Sequence, residues 1–250
     1  MIKSEIKNNT AIITLNRPEK RNALHPDLVK SLKIKLIEFK NDESIKSIII
    51  TGEGNTFCAG ADLEYLQKIS ANSAIENYED SKSLAEMFLM IYEFPKPIIA
   101  AVNGAAIAGG CGLASVCDFI IAHPEKSKFG YPEVKIGFIP AIVSIFLIKK
   151  TGEGLAKQLM LEGELISGKR AFETGFVNYL ADDVFEESLN LVERLNKNSI
   201  ESMRLTKQMI NNISNLSVRE SVELGINLNV ISRSTEDFKK GIETFLNKDK

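Results

Sequence analysis

Residues 98–102 run through Asn103-Gly104-Ala105-Ala106-Ile107-Ala108 into Gly109-Gly110-Cys111-Gly112-Leu113, so an apolar strand hands over to a helix across a glycine-rich start. The first N–H groups of a helix have no partner inside it. They point outward with the positive end of the helix dipole, where they can hold a developing negative oxygen. Further β-rich runs at residues 2–6, 10–15, 45–51 and 119–122 alternate with helical stretches up to about residue 180. In the first of those helices, opened by Pro26-Asp27, Leu28, Leu32, Leu36 and Phe39 recur at helical spacing. Strands alternating with helices predict an α/β fold of stacked β-α units rather than a sandwich.

From Asp183 onward the pattern is helical only. Phe185, Leu189 and Val192 share one face, further helical segments are expected near residues 200–213, 218–231 and 235–246, and no proline follows Pro140. The chain thus divides into a core over residues 1–182 and a helical region over 183–250. That tail is too short and too amphipathic to bury its apolar faces alone, so it needs the core or another subunit.

With 250 residues, 44% hydrophobic and 26% charged, the chain is ample for a buried globular core. Its 31 basic and 33 acidic residues nearly cancel without any run of like charges, which leaves no electrostatic footprint for nucleic acid. The start Met1-Ile2-Lys3-Ser4-Glu5 is charged, and no apolar stretch approaches the ~18 residues of a membrane span, so a cytoplasmic protein is expected. Cys58, Cys111 and Cys117 are odd in number and lack the closely spaced ligand pairs of a zinc site, which reads as reduced thiols used in packing and no metal. Cys58 has no histidine near it in sequence to activate it as a nucleophile. His25 and His123, at a helix start and a strand end, read as surface or capping residues.

A second junction lies at Phe57-Cys58-Ala59-Gly60-Ala61-Asp62-Leu63, after the turn signal Gly52-Glu53-Gly54-Asn55. Asp62 is placed to cap a helix beginning at Leu63. Each glycine-rich stretch taken alone reads as a tight turn that lets backbone approach backbone; taken together they offer two outward N–H groups. Downstream, Tyr131-Pro132-Glu133-Val134-Lys135-Ile136-Gly137-Phe138-Ile139-Pro140 carries an acidic residue suited to proton transfer. Alone, Glu133 also reads as a solvated first-turn glutamate behind Pro132, favourable against the dipole.

These segments resemble the crotonase superfamily, also called the enoyl-CoA hydratase/isomerase family, and they occur in the family's order. The matches are Leu15-Asn16-Arg17-Pro18-Glu19-Lys20-Arg21-Asn22-Ala23-Leu24, Cys58 to Leu63, Pro97 to Gly104, Gly109 to Asp118, Pro132 to Pro140 and Phe238-Lys239-Lys240-Gly241-Ile242-Glu243-Thr244-Phe245-Leu246. The resemblance implies a spiral of ββα turns followed by helices that pack on neighbouring subunits, in a trimer or dimer of trimers. It implies an acyl-CoA thioester substrate, with coenzyme A part of that substrate and no separate cofactor. The backbone N–H groups of Ala61 and Gly109 become the oxyanion donors, and Glu133 the acid/base, its pKa raised by an apolar pocket. The resemblance also implies substrate contacts at Ala23, Ala59, Gly60, Asp62, Leu63, Gly110, Gly112, Pro132, Pro140 and Phe245. Arg17, Lys20 and Arg21 are expected near the phosphates of CoA, with Lys248 reaching one from a neighbouring subunit.

One position departs from the family's two-glutamate hydratases: Gly112 stands where they carry their first catalytic glutamate. A glutamate at the second position only is compatible with Δ3,Δ2-enoyl-CoA isomerases and with bacterial methylglutaconyl-CoA hydratase-like members. Asn77-Tyr78-Glu79-Asp80-Ser81, Met90-Ile91-Tyr92-Glu93-Phe94-Pro95, Gly112 and Ile139-Pro140-Ala141-Ile142-Val143-Ser144 resemble the latter. The resemblance therefore implies a lyase hydrating a 2-enoyl-CoA, 3-methylglutaconyl-CoA among them. The alternatives are the isomerase and a CoA-binding protein without turnover.

Overall fold

The structure, a computed structural model, describes residues 1–247. Its first hairpin, β1 (Ile2–Lys7) against β2 (Thr10–Leu15), turns through Asn8 and Asn9, both with left-handed φ, a conformation asparagine tolerates better than most residues. To β2 are added, in order and all parallel, β3 (Ser47–Gly52), β5 (Ile98–Val102), β7 (Phe119–Ala122) and β10 (Tyr179–Leu180). Period-2 alternation divides this six-stranded sheet between two cores. Ile13, Ile48, Ile50, Ile98 and Ile120 face the larger one, with Leu28, Leu32, Leu36 and Phe39 of α1 (Pro26–Asn41) and Met87, Phe88 and Ile91 of α3 (Ala74–Tyr92). Ile12, Ile49, Ile99 and Ile121 face the other, covered by Val184, Leu191 and Val192 of α7 (Val184–Leu195).

A second, four-stranded sheet runs β4 (Thr56–Cys58), β6 (Ala105–Ile107), β8 (Lys128–Gly130) and β9 (Ile166–Ser167), the first three mutually parallel and β9 antiparallel. Its strands are two or three residues long, too short to carry a readable period, so the sequence pattern passes over them and over β10. The remaining helices are α2 (Leu63–Ile69), α4 (Gly109–Ser115), α5 (Ala141–Glu162), α6 (Gly168–Glu173), α8 (Ile200–Ile213), α9 (Val218–Ser234) and α10 (Glu236–Asn247). One-turn 3-10 helices lie at Pro18–Lys20 and Pro132–Ile136. The expected α/β architecture with a helical C-terminal region is borne out. So are the α1 core positions and the capping histidines: His25 Nδ1 accepts from Asp27 N, and His123 Nδ1 from Glu125 N and Lys126 N. Among the described residues no helix is long and apolar enough to cross a membrane.

Candidate active site

Adjacent parallel strands end at the same edge of their sheet, and whatever follows each strand is delivered to that edge. Thr56 of β4 is in register with Ala105 of β6, and Ile107 of β6 with Gly130 of β8. Consequently the segments after β4, β6 and β8 emerge side by side. They are the stretches that carry Ala61, Gly109 and Glu133.

Ala61 forms an isolated parallel bridge with Leu24. The bonds of that bridge are made by its neighbours: Leu24 N donates to Gly60 O at 2.7 Å, and Asp62 N donates to Leu24 O at 3.1 Å. The Ala61 N–H is therefore not spent on Leu24. A Cβ placed on Gly109 would lie 3.9 Å from Ala61 N and 3.7 Å from Gly60 Cα, so the two amides are near neighbours. Gly60 makes the approach possible: at φ +90°, a Cβ there would stand 2.8 Å from Ala108 Cβ and 2.8 Å from Ile107 O. Gly109 opens α4, and the first helical bond is made later, from Gly112 N to Ala108 O at 3.0 Å. Among the described residues neither the Ala61 nor the Gly109 N–H meets a backbone acceptor in the turns and caps. Ala108, between β6 and α4, holds φ 52° and ψ −125°, which is strained for a residue with a Cβ. Its backbone is clamped on both sides, by its N–H on Gly130 O at 2.8 Å and by Gly112 N on its carbonyl.

Glu133 is 7% exposed, and its Oε2 has no hydrogen-bond partner. Burial pushes its pKa up, with a backbone amide bond the smaller opposing pull. Pro132 starts the 3-10 turn, and the left-handed Gly137 ends it by donating to the Glu133 and Val134 carbonyls. A buried carboxylate with one oxygen unpartnered is costly for stability, and such groups cluster at functional sites. Tyr131 Oη beside it is also fully buried and unpartnered. Burial pushes the thiols of Cys58, Cys111 and Cys117 up to about 12, far from thiolate chemistry. Among the described residues no cluster of His, Cys, Asp and Glu could hold a metal ion.

The profile of the family described as enoyl-CoA hydratase/isomerase matches residues 5–250. The chain belongs to that family. A Thermus thermophilus protein, named only provisionally as an enoyl-CoA hydratase, is 40% identical over 244 residues, 97% of this chain and 96% of that one. The 2,3-dehydroadipyl-CoA hydratase of Escherichia coli is 32% identical over 240 residues, 95% and 92% of the two chains. Among solved structures, an enoyl-CoA hydratase from Polaromonas sp. JS666 superposes with a TM-score of 0.94 at 32% identity, over 99% of this chain and 97% of that one.

Within this enoyl-CoA hydratase/isomerase fold the remaining candidates fall into three groups. Ala59, Gly60, Asp62, Leu63, Gly110, Gly112 and Pro132 belong to the three strand-end segments, and Ala23 adjoins them through the Leu24–Ala61 bridge. Pro140 caps α5, Phe245 is exposed on α10, and Lys248 lies outside the described residues. Of the cations, Arg21 is exposed, Lys20 is half-buried and paired with Glu64, and Arg17 is engaged inside the protein. Its guanidinium is buried: Nη2 donates to Asp62 Oδ2 at 2.9 Å and Nη1 to Ala23 O at 2.8 Å. Arg17 is a brace for Asp62, which caps α2 through Oδ1 to Glu64 N and Tyr65 N as the sequence predicts.

Asn22, Ala108, Tyr131 and Val143 were not singled out from sequence. Asn22 is fully buried and ties Arg17 N, Glu53 O and Thr56 O together. A cavity of about 590 Å³ between α3, α5 and α8, lined by Tyr92, Phe146, Lys149, Lys207 and Asn211 among others, includes none of Ala61, Gly109 or Glu133. A second, of about 520 Å³, lies beside Arg17, His25, Asp62 and Tyr65.

Proposed function

We propose that this protein is an enoyl-CoA hydratase in which the amides of Ala61 and Gly109 hold the thioester oxygen and Glu133 handles the proton. The reading is supported by two neighbouring backbone N–H groups without a backbone acceptor and, after the adjacent strand, a buried carboxylate with one oxygen unpartnered. Charge that develops on the thioester oxygen as an enolate forms is held by the two donors, and loss of one such donor costs about 3–4 kcal/mol in the barrier. Glu133 takes a proton from water as its oxygen bonds to C3, and returns a proton to C2 as the enolate collapses. Nothing is left over: one water enters and one hydroxyacyl-CoA leaves. Burial holds the Glu133 pKa above the ordinary carboxylate value, which serves both halves of that exchange.

The single carboxylate favours a second reading on its own account. Moving a double bond from C3 to C2 requires a base that shuttles one proton between C4 and C2, with no water to hold, and Glu133 suffices for that. The substrate proposed first is 3-methylglutaconyl-CoA, supported by the residue pattern around Gly112 and Ile139 to Ser144. Lys20 and Arg21 are the cations proposed to meet CoA phosphates, and the cytoplasm is the proposed location. Self-association as a trimer or dimer of trimers is supported by the stripe Val218, Val222, Ile226 and Val230 on α9, exposed at 83, 57, 53 and 62%. Incubation with crotonyl-CoA, a 3-enoyl-CoA and 3-methylglutaconyl-CoA, followed by mass spectrometry and chromatography, decides between the readings. Gain of one water on a 2-enoyl-CoA is expected; isomerisation without water gives the second reading, and binding without turnover refutes both.

A further inference from the structure

Gly112 sits one helical turn after Gly109, so both lie on the same face of α4, and a side chain at 112 would tilt back toward the helix start. That space is occupied. A Cβ built on Gly112 would stand 2.1 Å from Val143 Cγ1 and 2.6 Å from Val143 Cβ, distances no side chain can adopt without moving α5. Val143 is 5% exposed and lies in the first turn of α5, the helix that follows the Glu133 segment and packs on it. Neither partner can step aside cheaply: the Gly112 carbonyl accepts from Ser115 Oγ at 2.7 Å inside a wholly buried turn, and Val143 belongs to the main core.

We propose that Val143 and Gly112 form one steric unit that determines the specificity of the site, the isopropyl group standing where a polar side chain from α4 would otherwise reach the reacting carbons. It rests on the reading of Glu133 as the acid/base and extends it. The unit keeps that wall apolar and leaves Glu133 as the lone carboxylate, so what reacts must do so with one protein carboxylate. A polar group at 112 alone gains nothing, because it cannot enter; with the isopropyl removed, it enters and changes the reaction.

Two cycles test the unit. In the first, Gly112→Ala is expected to lower Tm by more than 5 °C through overpacking, and to cost less than half of that in a Val143→Gly chain, where both crowding carbons are gone. In the second, Gly112→Glu with Val143→Gly is expected to hydrate crotonyl-CoA at least tenfold faster than Val143→Gly alone, whereas Gly112→Glu alone unfolds or is inactive. Should the glutamate pair not fold, Gly112→Asp with Val143→Gly carries the same readout. The unit is refuted by a Gly112→Ala variant as stable as the parent. It is equally refuted by a folded carboxylate pair that binds acyl-CoA but hydrates no faster than Val143→Gly. A parent protein silent on every enoyl-CoA refutes the reading of function instead, and the Tm cycle still judges the contact.

Discussion

Replacing Arg17 by Met tests how the segment carrying Ala61 and Asp62 is held. The substitution keeps most of the buried stem and deletes the guanidinium, so Asp62 loses its 2.9 Å partner and the Ala23 carbonyl loses its 2.8 Å donor. Both ends of the ion pair are buried, with side chains 11% and 7% exposed. Breaking a buried pair by removing one partner costs about 3–5 kcal/mol, because the other charge is stranded. Asp62 keeps two backbone amides through its other oxygen, which places the loss near the lower end, about 3 kcal/mol. For a chain of this length that corresponds to a Tm lower by ~6–12 °C. The pH dependence follows from Asp62. Burial pulls its pKa up, but the Arg17 hydrogen bond, the two amides and the Arg17 charge together outweigh burial and hold it below the usual value. A depressed carboxylate stabilises the fold above its unfolded pKa of about 3.9, and that contribution is lost as pH falls through the folded value. The stability gap between parent and variant should therefore be full at neutral pH and narrow as acid protonates Asp62. Urea unfolding followed by circular dichroism across that range measures it. A loss under 1 kcal/mol at pH 7, or a gap that does not change with pH, would refute the brace.

Glu133→Gln should lower kcat by about 10² or more and leave acyl-CoA affinity within a few-fold, since proton transfer contributes ~10²–10⁴ and the thioester contacts remain; an unchanged kcat removes Glu133 from the chemistry. The same variant carries a stability sign. A raised folded pKa gives stability below the unfolded value that is lost as pH rises through the folded one, so Gln should match the parent in acid and exceed its Tm near neutrality. Gly109→Pro sits at the first helical position, where proline is tolerated; it removes the amide and adds a ring whose Cβ would stand 3.1 Å from Leu24 Cδ1, so a variant shown to be folded by circular dichroism should lose at least ~10²-fold in kcat, and normal turnover would exclude that donor. Ala108→Gly relieves a strained backbone worth ~1–3 kcal/mol and should raise Tm by a few degrees while kcat falls, because the Gly109 amide is then less firmly aimed. A rise in Tm with unchanged kcat would make the strain incidental.

Long periodic elements were legible in the sequence because burial writes their pattern: α1 carries its core residues at helical spacing, and β2, β3, β5 and β7 are strongly apolar runs. The β4–β6–β8 sheet was not, since three residues hold no period; yet that sheet is what sets the segments carrying Ala61, Gly109 and Glu133 side by side. The glycines at those strand ends were readable as junctions, and the reason each must be glycine was not. Gly60 is needed because Ala108 and Ile107 crowd it, and Gly112 because Val143 does.

The same asymmetry separates the cations. On sequence alone Arg17, Lys20 and Arg21 form one basic loop, equally suited to a phosphate. Distance along the chain hides what divides them, because the partner of Arg17 is Asp62, across the Leu24–Ala61 bridge. A guanidinium placed indoors must meet a carboxylate or a carbonyl, and Arg17 meets both. That engagement has a functional consequence. Asp62 is at once the cap of α2, the partner of Arg17 and the neighbour of Ala61, so the direction of the Ala61 amide depends on a helix start, an ion pair and a bridge acting on consecutive residues. An oxyanion donor must be aimed before charge develops, since reorientation during the reaction would cancel its advantage. If Ala61 is the donor proposed, loosening the ion pair beside it frees residue 61 to reorient, and the Arg17→Met variant should lose kcat along with stability; a variant of lowered Tm with parental kcat would refute that link.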